Sequence, residues 1–191
     1  MESVNTPIQI TAEVTPNPNT LKFNVNKLLL ESGSLNFTDR EKARGAYLPE
    51  NLFKQDNVLG VMIGRDFITI TKAPASNWKD LVGPLTEKIK AILNSNETLL
   101  PTGPSAAAVA SGGGTNSEIE RKIKEILDSE IRPAVAMDGG DITFYGYENG
   151  VVTLHLQGSC SSCPSSIMTL KMGVENRLKS LIPEVREVVQ I

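Results

Sequence analysis

Cysteine and histidine are scarce in this chain, which has two cysteines and one histidine among its 191 residues. Two cysteines are too few for the disulfide framework of a small secreted domain. They are also too few for a structural zinc site or a common iron–sulfur cluster, because such centres take four protein ligands. The single histidine, His155, has no partner histidine, and we do not expect it to be a metal ligand. One chain therefore offers half of a metal site.

Several other features are absent. Aromatic residues make up only 5% of the chain, so any core must consist mainly of leucine, isoleucine and valine. No apolar run approaches the ~20 residues that span a bilayer, and we expect no membrane association. The net charge of −3 comes without the clustered basic residues of a nucleic-acid-binding face. The first ten residues resemble neither a signal peptide nor a transit peptide. These absences predict a location in the reducing cytoplasm, where cysteine pairs usually bind metals or act as catalysts.

Residues 7–93 carry the pattern of one small α+β domain. Alternating apolar and polar residues predict a β-hairpin from 8–14 and 21–25, joined by a loop rich in proline and asparagine. Two further apolar runs within 58–72 flank a Gly-Arg-Asp turn and predict a second hairpin. No catalytic constellation stands out in this part of the chain.

Two helices are predicted in the same domain. Residues 40–55 suit a helix with a break at Pro49. The second helix begins near Trp78, where Asn77 is a suitable N-cap. Pro84 lies inside this apolar pattern, and we expect it to kink the helix or to mark its true start.

The composition changes at residues 94–116, which are rich in alanine, glycine, serine and proline and predict a flexible linker. Residues 117–191 follow as a second domain, in which helical and alternating patterns give the order α-β-β-α-β. An Asn-Gly turn joins its first two strands, which is a strong signal for a hairpin. The predicted fold class is therefore α+β, with two small domains that move independently on the linker.

Both cysteines, Cys160 and Cys163, lie between a predicted strand and a predicted helix. Pro164 suits the first helical turn, and the positive end of the helix dipole favours thiolate over thiol. The neighbouring serines are small, so we expect them to leave the sulfurs accessible. Two copies of the chain about a two-fold axis would supply four thiolates, and a symmetric dimer is the commonest oligomer. Such a shared centre would be exposed and easily released, as a carrier requires.

A CxxC pair alone is a weak signal. The same spacing suits a thiol–disulfide oxidoreductase, half of a zinc site, or a pair with no chemical role. A helix and a hairpin precede the cysteines here, whereas a thioredoxin-like dithiol follows a βαβ pattern. The proline also follows the second cysteine and does not lie between the two.

Longer motifs in both domains resemble the NifU-like (Nfu) proteins of iron–sulfur cluster biogenesis. The second domain carries Ile131-Arg132-Pro133-Ala134, Asp138-Gly139-Gly140-Asp141 and Gly158-Ser159-Cys160-Ser161-Ser162-Cys163-Pro164-Ser165-Ser166. The first carries Thr15-Pro16-Asn17-Pro18-Asn19-Thr20-Leu21-Lys22-Phe23 and Gly64-Arg65-Asp66-Phe67-Ile68-Thr69-Ile70. Two motif sets in the order of the family are more specific than the cysteine pair.

The resemblance implies a non-enzymatic scaffold or carrier. It implies a 4Fe–4S cluster bridged between the two subunits of a homodimer, with Cys160 and Cys163 of each as the iron ligands. The cluster would come from upstream cluster donors and pass to apo iron–sulfur client proteins. The Asp138–Asp141 turn would support the site, and the first domain would contact clients or partners. Ser162 departs from the glycine that many members have before the second cysteine, which bears on how easily the cluster is released.

Overall fold

The structure is a computed structural model. It describes residues 7–95, 97–100, 117–161 and 164–191. Contacts between Cα atoms divide the chain into two compact units, each treated separately below: Met1–Val14 with Asn19–Gly103, and Thr15–Pro18 with Pro104–Ile191. The described residues contain no helix that is both long enough and apolar enough to span a membrane.

The first unit is built on a five-stranded antiparallel sheet with the order β1-β2-β5-β4-β3. Its elements in chain order are β1 (Ile10–Val14), β2 (Thr20–Val25), β3 (Leu35–Phe37), α1 (Tyr47–Leu52), β4 (Val58–Ile63), β5 (Phe67–Lys72) and α2 (Trp78–Asn94). Both predicted hairpins are confirmed, since β1 pairs with β2 and β4 pairs with β5.

Helix α1 differs from the predicted helix, whereas α2 begins at Trp78 as predicted. The helix predicted over 40–55 is wrong in extent, because α1 begins only at Tyr47. Gly45 has a φ of 83°, a left-handed conformation that interrupts any helix before it. Helix α2 is capped by the Asn77 side chain, which accepts a hydrogen bond from the Lys79 amide at 3.0 Å. Pro84 lies inside α2 and does not mark its start.

The core of the first unit lies between the sheet and the helices. Phe23, Ile68 and Leu85 are completely buried in it, and they come from β2, β5 and α2 respectively. Leu99 and Leu100 also pack against this core, and the Leu99 carbonyl accepts a hydrogen bond from the Leu48 amide at 2.9 Å. The chain just after α2 therefore stays in contact with the first unit. The linker predicted over 94–116 otherwise lies almost entirely outside the described residues.

The second unit has the predicted α-β-β-α-β order, and the α+β class of the chain is confirmed. Its elements are α3 (Ser117–Ile126), a π-helical turn (Leu127–Ile131), α4 (Arg132–Met137), β6 (Gly140–Glu148), β7 (Val151–Gly158), a 3₁₀ turn (Ser159–Ser161), α5 (Pro164–Leu181) and β8 (Glu187–Gln190). Strand β7 lies in the middle of the sheet, antiparallel to β6 and parallel to β8. Asn149 and Gly150 both have positive φ, as the predicted two-residue hairpin turn requires.

The Glu175 carboxylate connects α5 to the last strand. It accepts hydrogen bonds from the Lys179 ammonium at 2.5 Å and from the backbone amide of Val188 at 3.0 Å. These two donors, the lysine first, hold the pKa of Glu175 below its ordinary value of 4.5. Because folding lowers this pKa, the contact stabilises the protein fully above pH 4.5 and is lost as the pH falls through the folded value.

We expect replacement of Glu175 by glutamine to lower the melting temperature at pH 7 more than at pH 3.5, because acid also removes the wild-type charge. Thermal unfolding followed by circular dichroism at both pH values tests this. The exposed Glu187 of β8, changed to glutamine, is the control. A loss of stability in Glu175→Gln that is equal at both pH values would contradict the role of its charge.

Candidate functional site

Cys160 lies in the 3₁₀ turn that connects the central strand β7 to α5. Gly158, the last residue of β7, has a φ of 66°, and this left-handed conformation turns the chain out of the sheet at little cost because glycine lacks a Cβ. The Ser161 hydroxyl donates to the Gly158 carbonyl at 2.9 Å and closes the turn. Helix α5 then begins at Pro164, as predicted. Cys163 lies outside the described residues.

Backbone carbonyl groups of the Asp-Gly-Gly-Asp turn before β6 accept hydrogen bonds from the 3₁₀ turn that carries Cys160. The Ser159 amide donates a hydrogen bond to the Gly139 carbonyl at 3.2 Å, and the Ser159 hydroxyl donates to the Asp138 carbonyl. In the sheet, Gly140 is paired with Gly158. The prediction that this Asp-Gly-Gly-Asp turn supports the cysteine loop is confirmed by these contacts.

Gly140 packs directly against the Cys160 side chain. A Cβ atom placed on Gly140 would lie 2.5 Å from the Cys160 sulfur, 3.1 Å from its Cβ and 3.0 Å from the Gln157 carbonyl oxygen. Real Cβ atoms essentially never approach other atoms to 2.5 Å. Any residue larger than glycine at this position must therefore displace the thiol or the strand beside it.

Arg132 fixes the start of β6, immediately after Gly140. Its Nε donates to the Asp141 carboxylate and to the Ile142 carbonyl, both at 3.1 Å, and its Nη1 lies 2.8 Å from the Asp128 carboxylate. Asp141 is only 8% exposed, so its charge is held largely away from water. A buried carboxylate is costly unless it is paired and hydrogen-bonded, and the bond from Arg132 offsets part of that cost.

A π-helical turn interrupts the long helical segment that leads to this arginine. Residues Leu127–Ile131 form the turn, and such insertions are often found near functional sites. Glu130 of this turn accepts hydrogen bonds from Arg177 of α5 at 2.6 and 2.9 Å. These hydrogen bonds hold the pKa of Glu130 below its ordinary value and raise the pKa of Arg177. The pair joins the π-helical turn to α5 on the exposed surface.

A largely apolar pocket lies beside Cys160 in the second unit. Residues from four elements around the cysteine line much of it: Ile131, Ala134, Ser159, Leu170, Gly173 and Val174. Cys160 itself is 4% exposed. The expectation that small serines leave this sulfur accessible is therefore wrong for this form of the protein, because Gly140 allows the sulfur to pack inward against β6.

The described residues contain no group of three or more histidine, cysteine, aspartate or glutamate side chains that could hold a metal ion. His155 lies on β7, and its Nδ1 is 3.3 Å from the Gln157 side-chain nitrogen. Cys160 is thus the one sequence-predicted ligand whose surroundings are described. The ligand roles of Cys160 and Cys163 stay predictions.

Sequence reasoning missed three features of this region. The close approach of Gly140 to Cys160 joins residues 20 positions apart, and only the unusual Gly-Gly pair hinted at a steric need. Arg132 belongs to one of the family motifs, but the spacing of the two residues in the sequence does not predict its hydrogen bond to Asp141. Met168 and Met172 of α5 are exposed. Both lie outside the apolar stripe of the helix, and this position in the sequence is the signal that could have predicted their exposure.

Comparison with known proteins covers nearly the whole chain. A model of the family described as "Scaffold protein Nfu/NifU N terminal" matches residues 10–96, and a model of the "NifU-like domain" matches residues 123–189. A solution structure of a NifU-like protein from Saccharomyces cerevisiae covers 54% of this chain and 92% of its own, at 26% identity and a TM-score of 0.46.

Full-length relatives match both units together. The "NFU1 iron-sulfur cluster scaffold homolog, mitochondrial" of Homo sapiens is 42% identical over 184 residues, which are 95% of this chain and 71% of the relative. The protein of the same name in Drosophila ananassae is 43% identical, and "NifU-like protein 4, mitochondrial" of Arabidopsis thaliana is 39% identical. The chain spans 64% and 65% of the length of these two relatives.

These names correct the expected location. The prediction of a cytoplasmic protein is wrong, because the relatives are named as mitochondrial. The physical reason is that a soluble composition and a pair of cysteines suit any reducing compartment, so neither property distinguishes one from another. The identity over both units, and the two family models in this order, show that the chain belongs to the NifU-like (Nfu) family, with an Nfu N-terminal domain followed by a NifU-like domain.

Proposed function

We propose that this protein is a non-enzymatic carrier that holds an iron–sulfur cluster as cargo and passes it to apo-proteins. The observation that carries the proposal is the position of the cysteine pair in a chain whose relatives are named iron–sulfur cluster scaffolds. Cys160 lies in the 3₁₀ turn that follows the central strand, and Cys163 is the residue before Pro164 in the sequence. Both thiols would bind iron, as clusters take their ligands from thiolates.

The cargo is a 4Fe–4S cluster bridged between two copies of the chain. The full sequence has only two cysteines, whereas such a cluster takes four thiolate ligands. Two copies about a two-fold axis provide four thiolates without any further ligand.

Loading requires a change at the Ser159–Ser161 turn. Cys160 is almost fully buried, and a buried thiol cannot bind a cluster shared with a second molecule. The carbonyls of Asp138 and Gly139 accept hydrogen bonds from Ser159, and the Ser159 carbonyl accepts one from the Asn17 side chain, so several contacts would have to open before the cysteine became exposed. The apolar pocket beside Cys160 would provide room for this movement.

The other parts of the chain would serve delivery. The chain would consist of two domains, residues 7–93 and 117–191, joined by a linker at 94–116. This arrangement would let the first domain contact clients or upstream donors while the second domain holds the cluster. We place these events in the mitochondrion, following the names of the relatives.

Anaerobic reconstitution of the full chain with iron and sulfide tests the proposal. We expect about four irons and four sulfides per dimer, loss of both in Cys160→Ala and in Cys163→Ala, and transfer of the cluster to an apo-acceptor. Ser180→Ala, a similarly small change at the far end of α5, is the control and should load normally. A chain that binds no cluster and instead turns over disulfides would overturn the proposal in favour of a thiol–disulfide oxidoreductase. Tight zinc binding without cluster uptake would favour a zinc-stabilised interaction module.

A further inference from the structure

A short segment from early in the chain packs on the turn that carries Cys160. Residues Thr15–Pro18 follow β1 in the sequence but belong to the second compact unit, together with Pro104–Ile191. The Asn17 side-chain nitrogen donates a hydrogen bond to the Ser159 carbonyl at 3.3 Å, although the two residues are 142 positions apart. Both residues are almost fully buried. We call Thr15–Pro18 the proline segment.

The backbone of the proline segment is stiff. Pro16 and Pro18 fix their own φ angles and restrict the residues before them, which are Thr15 and Asn17. The Thr15 hydroxyl also donates a hydrogen bond to the Asn17 carbonyl at 3.0 Å and accepts one from the Asn17 amide at 3.2 Å. A segment that is held in this way by its own residues loses little conformational entropy when it binds. It can therefore bind and leave the cysteine turn without refolding.

The proline segment also borders the apolar pocket beside Cys160. Pro16 lies at this pocket together with Cys160, Ile131 of the π-helical turn and Leu170 of α5. Asn17 contacts the residue next to the cysteine, and Pro16 lies beside the space into which the cysteine would move. Withdrawal of the proline segment would therefore remove a contact from the cysteine turn and open one side of the pocket.

The other contacts of Ser159 are continuous with the sheet of the same unit. Its amide and hydroxyl donate to the carbonyls of Gly139 and Asp138, in the turn that leads into β6. Gly158, the residue before Ser159, is paired with Gly140. The sheet of this unit consists of β6, β7 and β8, and the proline segment lies outside it. The segment can thus leave without breaking the sheet.

We propose that the proline segment is a latch that keeps Cys160 buried before loading and withdraws so that the thiol can bind the cargo. This inference rests on the proposed function and adds a step that controls access to the same site. One hydrogen bond contributes little net stability, so the latch would open often enough for loading and would still shield the thiol between openings. Asn17 acts as a positioning residue, because it contacts the backbone beside Cys160 and would not touch the cargo.

Alkylation of Cys160 by iodoacetamide tests the latch without any cluster. In a full-length Cys163→Ser background, Cys160 is the only thiol of the sequence, so the mass added per chain measures its exposure. We expect Asn17→Asp to increase the alkylation rate about three- to tenfold, because a carboxylate keeps the size of the side chain but cannot donate to the Ser159 carbonyl. Asn176→Asp makes the same change at an exposed position of α5 and should leave the rate unchanged.

The dependence of the alkylation rate on urea shows which opening exposes the thiol. Withdrawal of a short segment exposes little surface, so the rate in Asn17→Asp should change little with urea below the unfolding transition. In chains that keep both cysteines, Asn17→Asp should also load its cluster faster by a similar factor and reach the wild-type final content.

The outcomes separate this inference from the proposed function. Equal alkylation rates with Asn17 and with Asp at this position overturn the latch. A rate that rises steeply with urea also overturns it, because the thiol would then be exposed by unfolding of the whole unit. Faster alkylation with an unchanged loading rate does the same, since the proline segment would not control access for the cargo. A wild-type chain that takes up no cluster refutes the proposed function, and the alkylation rates then still decide whether the proline segment shields Cys160.

Discussion

Replacement of Gly140 by alanine is expected to lower the stability of the second unit and to prevent normal cluster loading. The new Cβ would lie 2.5 Å from the Cys160 sulfur and 3.0 Å from the Gln157 carbonyl oxygen. Gly140 does not have a positive φ, so the cost is steric and does not come from backbone strain. Overpacking of this kind costs about 1–3 kcal/mol. For a unit of this size it should lower the Tm by roughly 5–20 °C.

The same substitution at Gly146 is a matched control. Gly146 also lies in β6, but a Cβ added there meets no atom within 4 Å. We therefore expect Gly146→Ala to unfold and load like the wild type. Thermal unfolding and iron content after reconstitution should be measured for both variants. Equal behaviour of the two alanine variants would show that the contact between Gly140 and Cys160 does not constrain the site.

Replacement of Phe23 by alanine is expected to destabilise the first unit severely while the second unit keeps its cluster. Phe23 is completely buried in the core beside β5, where it is paired with Ile68. Truncation of a buried phenylalanine to alanine costs about 3–5 kcal/mol, because it loses apolar burial and leaves a cavity. Whole domains are stable by only about 5–15 kcal/mol. The variant should therefore retain little stability in this unit.

Calorimetry and reconstitution together test this separation. If the linker predicted over 94–116 makes the domains independent, one unfolding transition should shift in Phe23→Ala and the other should not. Cluster uptake through Cys160 and Cys163 should stay near the wild-type value. Val14→Ala, at an 87% exposed position of the same sheet, is the control and should shift neither transition. A common shift of both transitions, with loss of uptake, would contradict independent domains.

The features that the sequence predicts correctly are those that depend on residues close together in the chain. The Asn149–Gly150 turn, the N-cap at Asn77 and the start of α5 at Pro164 each depend on a few adjacent residues. The helix predicted over 40–55 failed where a single residue outweighed the apolar pattern. Gly45 adopts a left-handed conformation, and the helix begins only after it. Pro84, predicted to kink α2 or to mark its start, lies inside the helix, where Leu81 and Leu85 are buried on either side of it.

The sequence by itself determined the α+β class, the number of thiolates and the family, because these depend on composition, periodicity and motifs that can be read in chain order. Only the tertiary structure decided that Cys160 is buried against Gly140 and that Arg132 pairs with Asp141. It also decided which methionines remain exposed on α5. The physical reason is that each of these depends on how separate elements pack together. A helical pattern in the sequence shows that an apolar stripe exists. The packing of the helix against the sheet decides which of its side chains are buried.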